Sequence, residues 1–348
     1  MAPLIHSTLI ISLGLGTTMT FASTHWYLAW VGIEINTLAI IPLMAQNHSP
    51  RAIEASTKYF FAQATASATL LFAAVSNAFL TGEWDILQTS HPLTSALTTL
   101  ALAMKIGLAP LHSWMPEVMQ GLSLLTGLIL STWQKLAPLC LIYQIQPNNP
   151  NIFTILGLLS IIVGGWGGFN QVQLRKILAY SSIAHLGWMI LILPHSAPLT
   201  LLALFTYLMM TFSLFSSFIL TRTMHINSLS TTWTKIPTLT ASIPLILLSL
   251  GGLPPLTGFL PKWLILQELT KQNLTPIATL AALSSLFSLY FYLRLSYTMA
   301  LTMPPNNPSG TLPWRLNPNH NTLPLALTAT ATICLLPVTP AILAFFTF

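Results

Sequence analysis

Ser249-Leu250-Gly251-Gly252-Leu253-Pro254-Pro255-Leu256-Thr257-Gly258-Phe259-Leu260-Pro261-Lys262-Trp263 lies inside a long apolar segment, yet it carries three glycines, three prolines and a lysine. Proline lacks a backbone donor and collides with the preceding turn, so no continuous helix passes through it. In hydrocarbon such a break survives only where protein or a water-filled cavity satisfies the freed backbone groups. A lysine at the centre of a span costs roughly 2.5–3.5 kcal/mol on insertion scales. A broken helix with a buried ionisable group reads as part of an ion pathway.

Working outward, a near-copy occurs earlier in the chain. Ala109-Pro110-Leu111-His112-Ser113-Trp114-Met115-Pro116-Glu117 aligns with Pro254-Pro255-Leu256-Thr257-Gly258-Phe259-Leu260-Pro261-Lys262. The shared frame is Pro-Leu-x-x-aromatic-x-Pro followed by a charge. Interrupted segments at corresponding positions of two halves point to an internal repeat with its site at the breaks.

Only 5% of the 348 residues are charged and 53% are hydrophobic. A soluble domain carries roughly 25% charged residues, so this chain cannot cover a water-facing surface. The fold expected is an all-α polytopic membrane protein. The net charge of +6 does not imply nucleic acid, because the basic residues stand singly between apolar spans. With Cys140 and Cys334 alone, neither an iron–sulfur cluster nor a cysteine zinc site can be built within the chain, and no disulfide framework is implied. The apolar run from Leu4 to Phe21 has no Lys or Arg ahead of it, which fits neither a signal peptide nor a transit peptide.

A span needs about 20 apolar residues to cross the hydrocarbon core. On that ruler helices are expected at 3–22, 25–45, 52–81, 94–119, 123–146, 151–170, 175–194, 198–222, 237–271, 275–300 and 322–346. The fourth of the first five and the fourth of the next five are broken, near Pro110 and Pro254. Five is odd, so the second set starts on the opposite side and the repeat is inverted. The expectation is one membrane domain over 1–348, with repeats at 1–146 and 147–300, then a polar loop and C-terminal helix at 301–348. The stretch Met303–Asn321, rich in Pro and Asn, is expected to be irregular. Loops on the N-terminal side hold Arg51, Lys58, Arg175, Lys176, Arg222, Lys235 and Arg315 against Glu54 and Glu117; the other side holds Glu83, Asp85, Glu268 and Lys271. The positive-inside rule places the N-terminus inside and the C-terminus outside.

Four charges fall well inside spans: Glu34, Lys105, Lys135 and Lys262. Left alone in lipid they would cost on the order of 10 kcal/mol, comparable to a domain's whole stability. They must pair, meet water or titrate. A lysine removed from water holds its proton less tightly, and a nearby carboxylate restores the hold, so a movable acid makes a switchable proton site. The competing reading is that some of them snorkel or form a structural ion pair. His112 and His185 also lie inside spans, as proton relays or as rings satisfied by backbone. Arg294 and Glu268, near span ends, read as structural, and Glu117 at the inner rim as stabilising or gating. Trp26, Tyr27, Trp30, Trp84 and Trp233 read as interface anchors. Gly164-Gly165-Trp166-Gly167-Gly168 follows a helix and lacks nucleotide-loop spacing, so close helix packing is expected there. No metalloprotease, P-loop or nucleophile-elbow motif is present.

Trp26-Tyr27-Leu28-Ala29-Trp30-Val31-Gly32-Ile33-Glu34-Ile35-Asn36, Lys105 to Val118, Arg175 to Gly187 and Gly251 to Trp263 closely resemble the antiporter-like membrane subunits of respiratory complex I. The resemblance covers essentially the whole chain, shortened by three N-terminal helices relative to bacterial members with fourteen. It implies a subunit of a redox-driven proton pump of the respiratory chain, an NADH dehydrogenase coupled to ubiquinone, in the mitochondrial inner membrane. By the same resemblance Glu34 and Lys105 match a Glu–Lys pair whose opening changes the lysine's proton affinity. Lys135 matches a central relay lysine, and Lys262 the lysine on the second broken helix nearest the exit. His112 and His185 match polar positions on the same axis. Partners implied are other membrane subunits, lipids, protons and ordered water. NADH, FMN, iron–sulfur clusters and ubiquinone are expected in other subunits, with no cofactor or metal here. The alternative is a free-standing cation/proton antiporter of the related family; a membrane spacer is a third possibility.

Overall fold

The computed structural model describes residues 3–89, 91–145, 150–234, 236–300 and 322–346. Among these there is no β-strand, only two isolated bridges, His25–Asp85 and Gln173–His225. The helices are α1 (Pro3–Ala22), α2 (Trp26–Met44), α3 (Pro50–Thr81), α4 (Pro92–Ile106), α5 (Trp114–Gly121), α6 (Leu124–Ser131), α7 (Trp133–Gln144) and α8 (Pro150–Gly167). They continue as α9 (Leu174–Ile192), α10 (Ala197–Thr221), α11 (Ile226–Ser230), α12 (Pro237–Gly251), α13 (Phe259–Lys271), α14 (Thr275–Ala300), α15 (Leu323–Cys334) and α16 (Thr339–Phe346).

Local chemistry sets the starts of several helices. Ser49 accepts from the Ala52 amide ahead of α3, where Pro50 fills the first turn without losing a bond. The Nδ1 atoms of His25 and His91 accept from Tyr27 and Leu93 in the same way. Those histidines are helix caps.

Among the described residues, seven helices are long and apolar enough to cross a membrane, or eight if the bent C-terminal pair counts as one span. The chain is therefore a multi-pass membrane protein. The remaining expected segments are the two broken ones, α4/α5 and α12/α13, and α9, which carries Arg175, Lys176 and His185. One segment expected to be continuous is not. The fifth, Leu124–Gln144, holds as one span, with a local irregularity at Thr132 (φ −111°), whose hydroxyl bonds the Leu128 carbonyl at 2.7 Å. The last bends by 72° after Cys334, where Pro337 removes a donor from the ladder. The loop Met303–Asn321, with Arg315 and His320, and also Lys235, lies outside the described residues.

The chain divides into two compact units, Met1–Leu159 and Ser160–Phe348, with the boundary inside α8. In the first, α2 packs against α1 and α3, α3 against α4 and α5, and α7 against α1, α2 and α4. In the second, α10 is central, touching α9, α12, α13, α15 and α16, while α12 also lies on α14. Large side chains fill each core, Trp26 and Tyr59 in the first and Tyr207, Phe215 and Phe218 in the second. Phe79 (89% exposed), Leu4 (78%) and Phe61 (67%) point outward, a surface suited to lipid or an apolar partner.

The glycine cluster packs helices. A methyl group added to Gly164 would sit 2.7 Å from the Ala184 backbone nitrogen on α9, and one on Gly165 would sit 2.9 Å from Phe287 on α14. Gly167 and Gly168 meet the rings of Tyr180 and Phe291. Gly14 has nothing within 4 Å. Gly164→Ala is expected to lower stability by about 1–3 kcal/mol through overpacking, with Gly14→Ala neutral, as read by thermal unfolding of the detergent-solubilised protein.

Candidate functional site

The two breaks that carry the Pro-Leu-x-x-aromatic-x-Pro frame fall one in each unit, and they are locally alike. In the first unit α4 ends at Ile106 and Gly107 turns into the left-handed region (φ 84°, ψ 44°). The Gly107 amide bonds Ala103 and Met104 carbonyls at 3.0 and 3.2 Å, and the Leu108 amide returns to Ala103 at 2.9 Å. In the second, α12 ends at Gly251, Gly252 adopts φ 82° and ψ 44°, and Leu253 returns to Leu248 at 3.3 Å. This glycine-terminated pattern satisfies helix carbonyls without water. Side chains complete the first break. Trp114 Nε1 donates to the Met104 carbonyl at 3.0 Å and Gln63 Nε2 to the Lys105 carbonyl at 3.2 Å.

Lys105, in the last turn of α4, is 5% exposed, and its Nζ has no hydrogen-bond partner among the described residues. Glu34 projects from α2, half-buried, and its Oε2 accepts from the Thr37 hydroxyl at 2.9 Å. Glu34 and Lys105 do not form an ion pair; Thr37, the partner of Glu34, lies in the wall of the cavity that Lys105 lines. Lys135, on α7, is 4% exposed. Lys105 and Lys135 line one cavity of about 20 Å³ with Asn36, Tyr59, Gln63 and Gln134. That is room for about one water among polar groups. Gln134 Nε2 bridges α7 to α2 by donating to the Asn36 carbonyl at 3.4 Å.

In the second unit Lys262 begins α13 and curls back, its Nζ donating to Gly251 O at 2.9 Å and Leu250 O at 3.4 Å. A cation at a helix C-terminus caps the last carbonyls and opposes the dipole. His185, on α9, is half-buried with its ring 5.6 Å from that of Tyr207. His185 and Lys262 line a cavity of about 10 Å³ with Thr206 and Met210. The Thr257 hydroxyl ties this break to the C-terminal segment by donating to Thr332 O at 2.6 Å.

Glu34, Lys105 and Lys135 thus gather in the first unit, and Lys262 with His185 in the second. His112 lies apart from them in the connection between α4 and α5, half-exposed, with Nδ1 3.3 Å from Pro110 O. Glu117 takes Lys58 at 2.8 Å, and Lys58 also reaches Glu54 at 2.7 Å, joining α3 to α5. Arg294 donates to Phe169 O at 2.8 Å, and Glu268 pairs with Lys271 at 3.4 Å. Trp26 is no interface anchor: it is fully buried, and its amide donates to the Trp84 carbonyl. Gln63, Gln134 and Asn36 were missed in the sequence. Their signal was available, since an amide inside an apolar span also needs a partner. Among the described residues no group of three or more His, Cys, Asp or Glu could hold a metal.

Residues 23–288, which include both breaks and Glu34, Lys105, His112, Lys135, His185 and Lys262, match the NADH:quinone oxidoreductase/Mrp antiporter transmembrane family. Residues 289–343 match the NADH dehydrogenase subunit 2 C-terminus. The chain belongs to the NADH:quinone oxidoreductase/Mrp antiporter transmembrane family. It is 65% identical over 346 residues to NADH-ubiquinone oxidoreductase chain 2 of Tetraodon nigroviridis, covering 99% of each. It is 62% identical over 347 residues to chain 2 of Formosania lacustris, covering 99% of this chain and 100% of that one. Among solved structures it resembles a chain of respiratory complex I from Thermus thermophilus with bound aureothin, at 26% identity and a TM-score of 0.86, over 99% of this chain and 80% of that one. The family resemblance carried by the Trp26–Asn36 and Lys105–Val118 stretches is thereby established.

At both turns a β-carbon is costly in the left-handed region, by about 1–2 kcal/mol. At Gly252 the added carbon would also crowd Lys262 Nζ at 3.0 Å. Gly107→Ala and Gly252→Ala should each lower the unfolding temperature of the solubilised protein, where Gly14→Ala does not.

Proposed function

We propose that the chain is a proton-translocating membrane subunit of NADH:ubiquinone oxidoreductase in the mitochondrial inner membrane, assembled with other membrane subunits of that enzyme. The single observation that carries the mechanism is the sharing of one small polar cavity by two buried lysines, Lys105 and Lys135, with the Glu34 carboxylate bonded to Thr37 in the wall of that cavity. A buried amine such as Lys105, whose Nζ has no hydrogen-bond partner among the described residues, is expensive as architecture and useful as a proton site. When charge moves elsewhere in the enzyme, a shift of Glu34 relative to Lys105 changes how tightly that lysine holds its proton. Release then passes the proton across the cavity toward Lys135. In the second unit Lys262 plays the corresponding part, with His185 beside it as acceptor or donor through their shared cavity.

The matching left-handed glycines, each three residues before the proline of the shared frame, support reading the units as two copies of one repeat. The bias of Arg51, Lys58, Arg175 and Arg222 toward the N-terminal side supports a matrix-facing N-terminus and a C-terminus facing the intermembrane space. The chain performs no redox step in this reading; quinone reduction occurs in other subunits. The related antiporter reading differs by predicting cation/proton exchange from the purified chain without redox partners.

Lys262→Met keeps the length of the side chain and removes the titrating group. In the assembled enzyme, sealed into vesicles, it should cut proton-coupled turnover by at least about tenfold while assembly stays near normal. Protons pumped per electron equal to the parent's would count against the relay.

A further inference from the structure

We propose that Gln63 is a positioning residue of the first break, whose carboxamide holds the end of α4 so that the Lys105 ammonium is left to serve the cavity. This rests on the relay reading above. A helix end leaves four carbonyls without partners, and in α4 they belong to the turn that carries Lys105. Amides of Gly107 and Leu108 take Ala103 and Met104, and the Trp114 indole also takes Met104. The Lys105 carbonyl lies beyond their reach, since the chain leaves the helix at Gly107 and meets Pro110. Its donor comes from another helix, 42 residues earlier: Gln63 Nε2 at 3.2 Å, on a side chain 5% exposed.

The second break shows what happens with a different donor. Setting Gly252 on Gly107 makes Leu250 the counterpart of Lys105. The Leu250 and Gly251 carbonyls are capped by the Lys262 ammonium itself. There the proton carrier and the helix cap are one group. In the first break the cap is a neutral amide that never titrates, and the lysine on the capped helix keeps its Nζ out of any hydrogen bond among the described residues. Gln63 therefore separates the two duties. It also lines the Lys105–Lys135 cavity, so its loss would act where Lys105 faces Lys135. The bland alternative is a side chain that only fills space between α3 and α4.

Three variants of the assembled enzyme in sealed vesicles separate these readings, with protons per electron measured per assembled complex. Gln63→Met keeps length and volume without a donor. It should reduce pumping per electron about fivefold, the factor that one net hydrogen bond is worth. Gln63→Glu keeps the shape and can donate only while protonated. Relative to the parent at each pH, its pumping should be near normal at acid pH and fall as pH rises, whatever the yield of assembled complex. Parent-like pumping in Gln63→Met together with a pH-independent ratio in Gln63→Glu would overturn the proposal. Lys105→Met is the control for the relay itself. If Lys105→Met pumps normally the relay reading fails, whereas a defective Lys105→Met beside parent-like Gln63 variants defeats the Gln63 proposal alone.

Discussion

Two helix ends inside hydrocarbon leave carbonyl oxygens without helical partners, and satisfying those oxygens is the constraint on which the rest of the structure depends. Each orphaned backbone group in such a medium costs several kcal/mol. Both units meet the demand first with backbone, through a left-handed glycine and the amide that follows it. Both then add side-chain donors: Trp114 and Gln63 in the first unit, Lys262 in the second.

The same constraint explains why amines sit where they do. A lysine is costly in an apolar core, but beside a helix C-terminus it meets carbonyl oxygens and the negative end of a dipole. Lys105 belongs to such an end and Lys262 folds back onto one. Lys135 stands on α7 across a cavity from Lys105. Were these charges only architectural, closed ion pairs would be the cheapest arrangement. Instead Thr37, not Lys105, engages the Glu34 carboxylate. Closed pairs occur elsewhere, at Glu54–Lys58–Glu117, where side chains are exposed and the pairing contributes little, and at Glu268–Lys271, where the lysine is exposed and the carboxylate half-buried.

Much of this was legible in the sequence because the signals were strong and local. Proline and glycine inside apolar runs marked both breaks, and four charges in spans marked the polar centres. The glycine cluster at 164–168 announced helix contact and the structure shows it. What escaped was either weak or non-local. Thr132 marks the junction of α6 and α7 within one span, with a hydroxyl bond that an apolar scan ignores. Pro337 was visible, yet a 25-residue apolar tail hid the 72° bend it causes. Trp26 looked like an anchor because it starts a span, yet it is fully buried, and its amide and the Thr24 carbonyl are tied to the segment 84–86 by backbone bonds that periodicity cannot show. Gln63 carries no charge and bonds a carbonyl 42 positions away, a pairing that periodicity cannot show.

The claim at the centre is that the buried lysines face hydrated polar space. A map of the assembled enzyme at a resolution that shows individual waters would test it most directly. The account predicts ordered water within hydrogen-bonding distance of Lys105 Nζ, in the cavity bounded by Gln63 and Lys135, and a second site beside Lys262 and His185. A dry first cavity, with Lys105 Nζ locked onto Glu34 or turned out toward lipid, would contradict it.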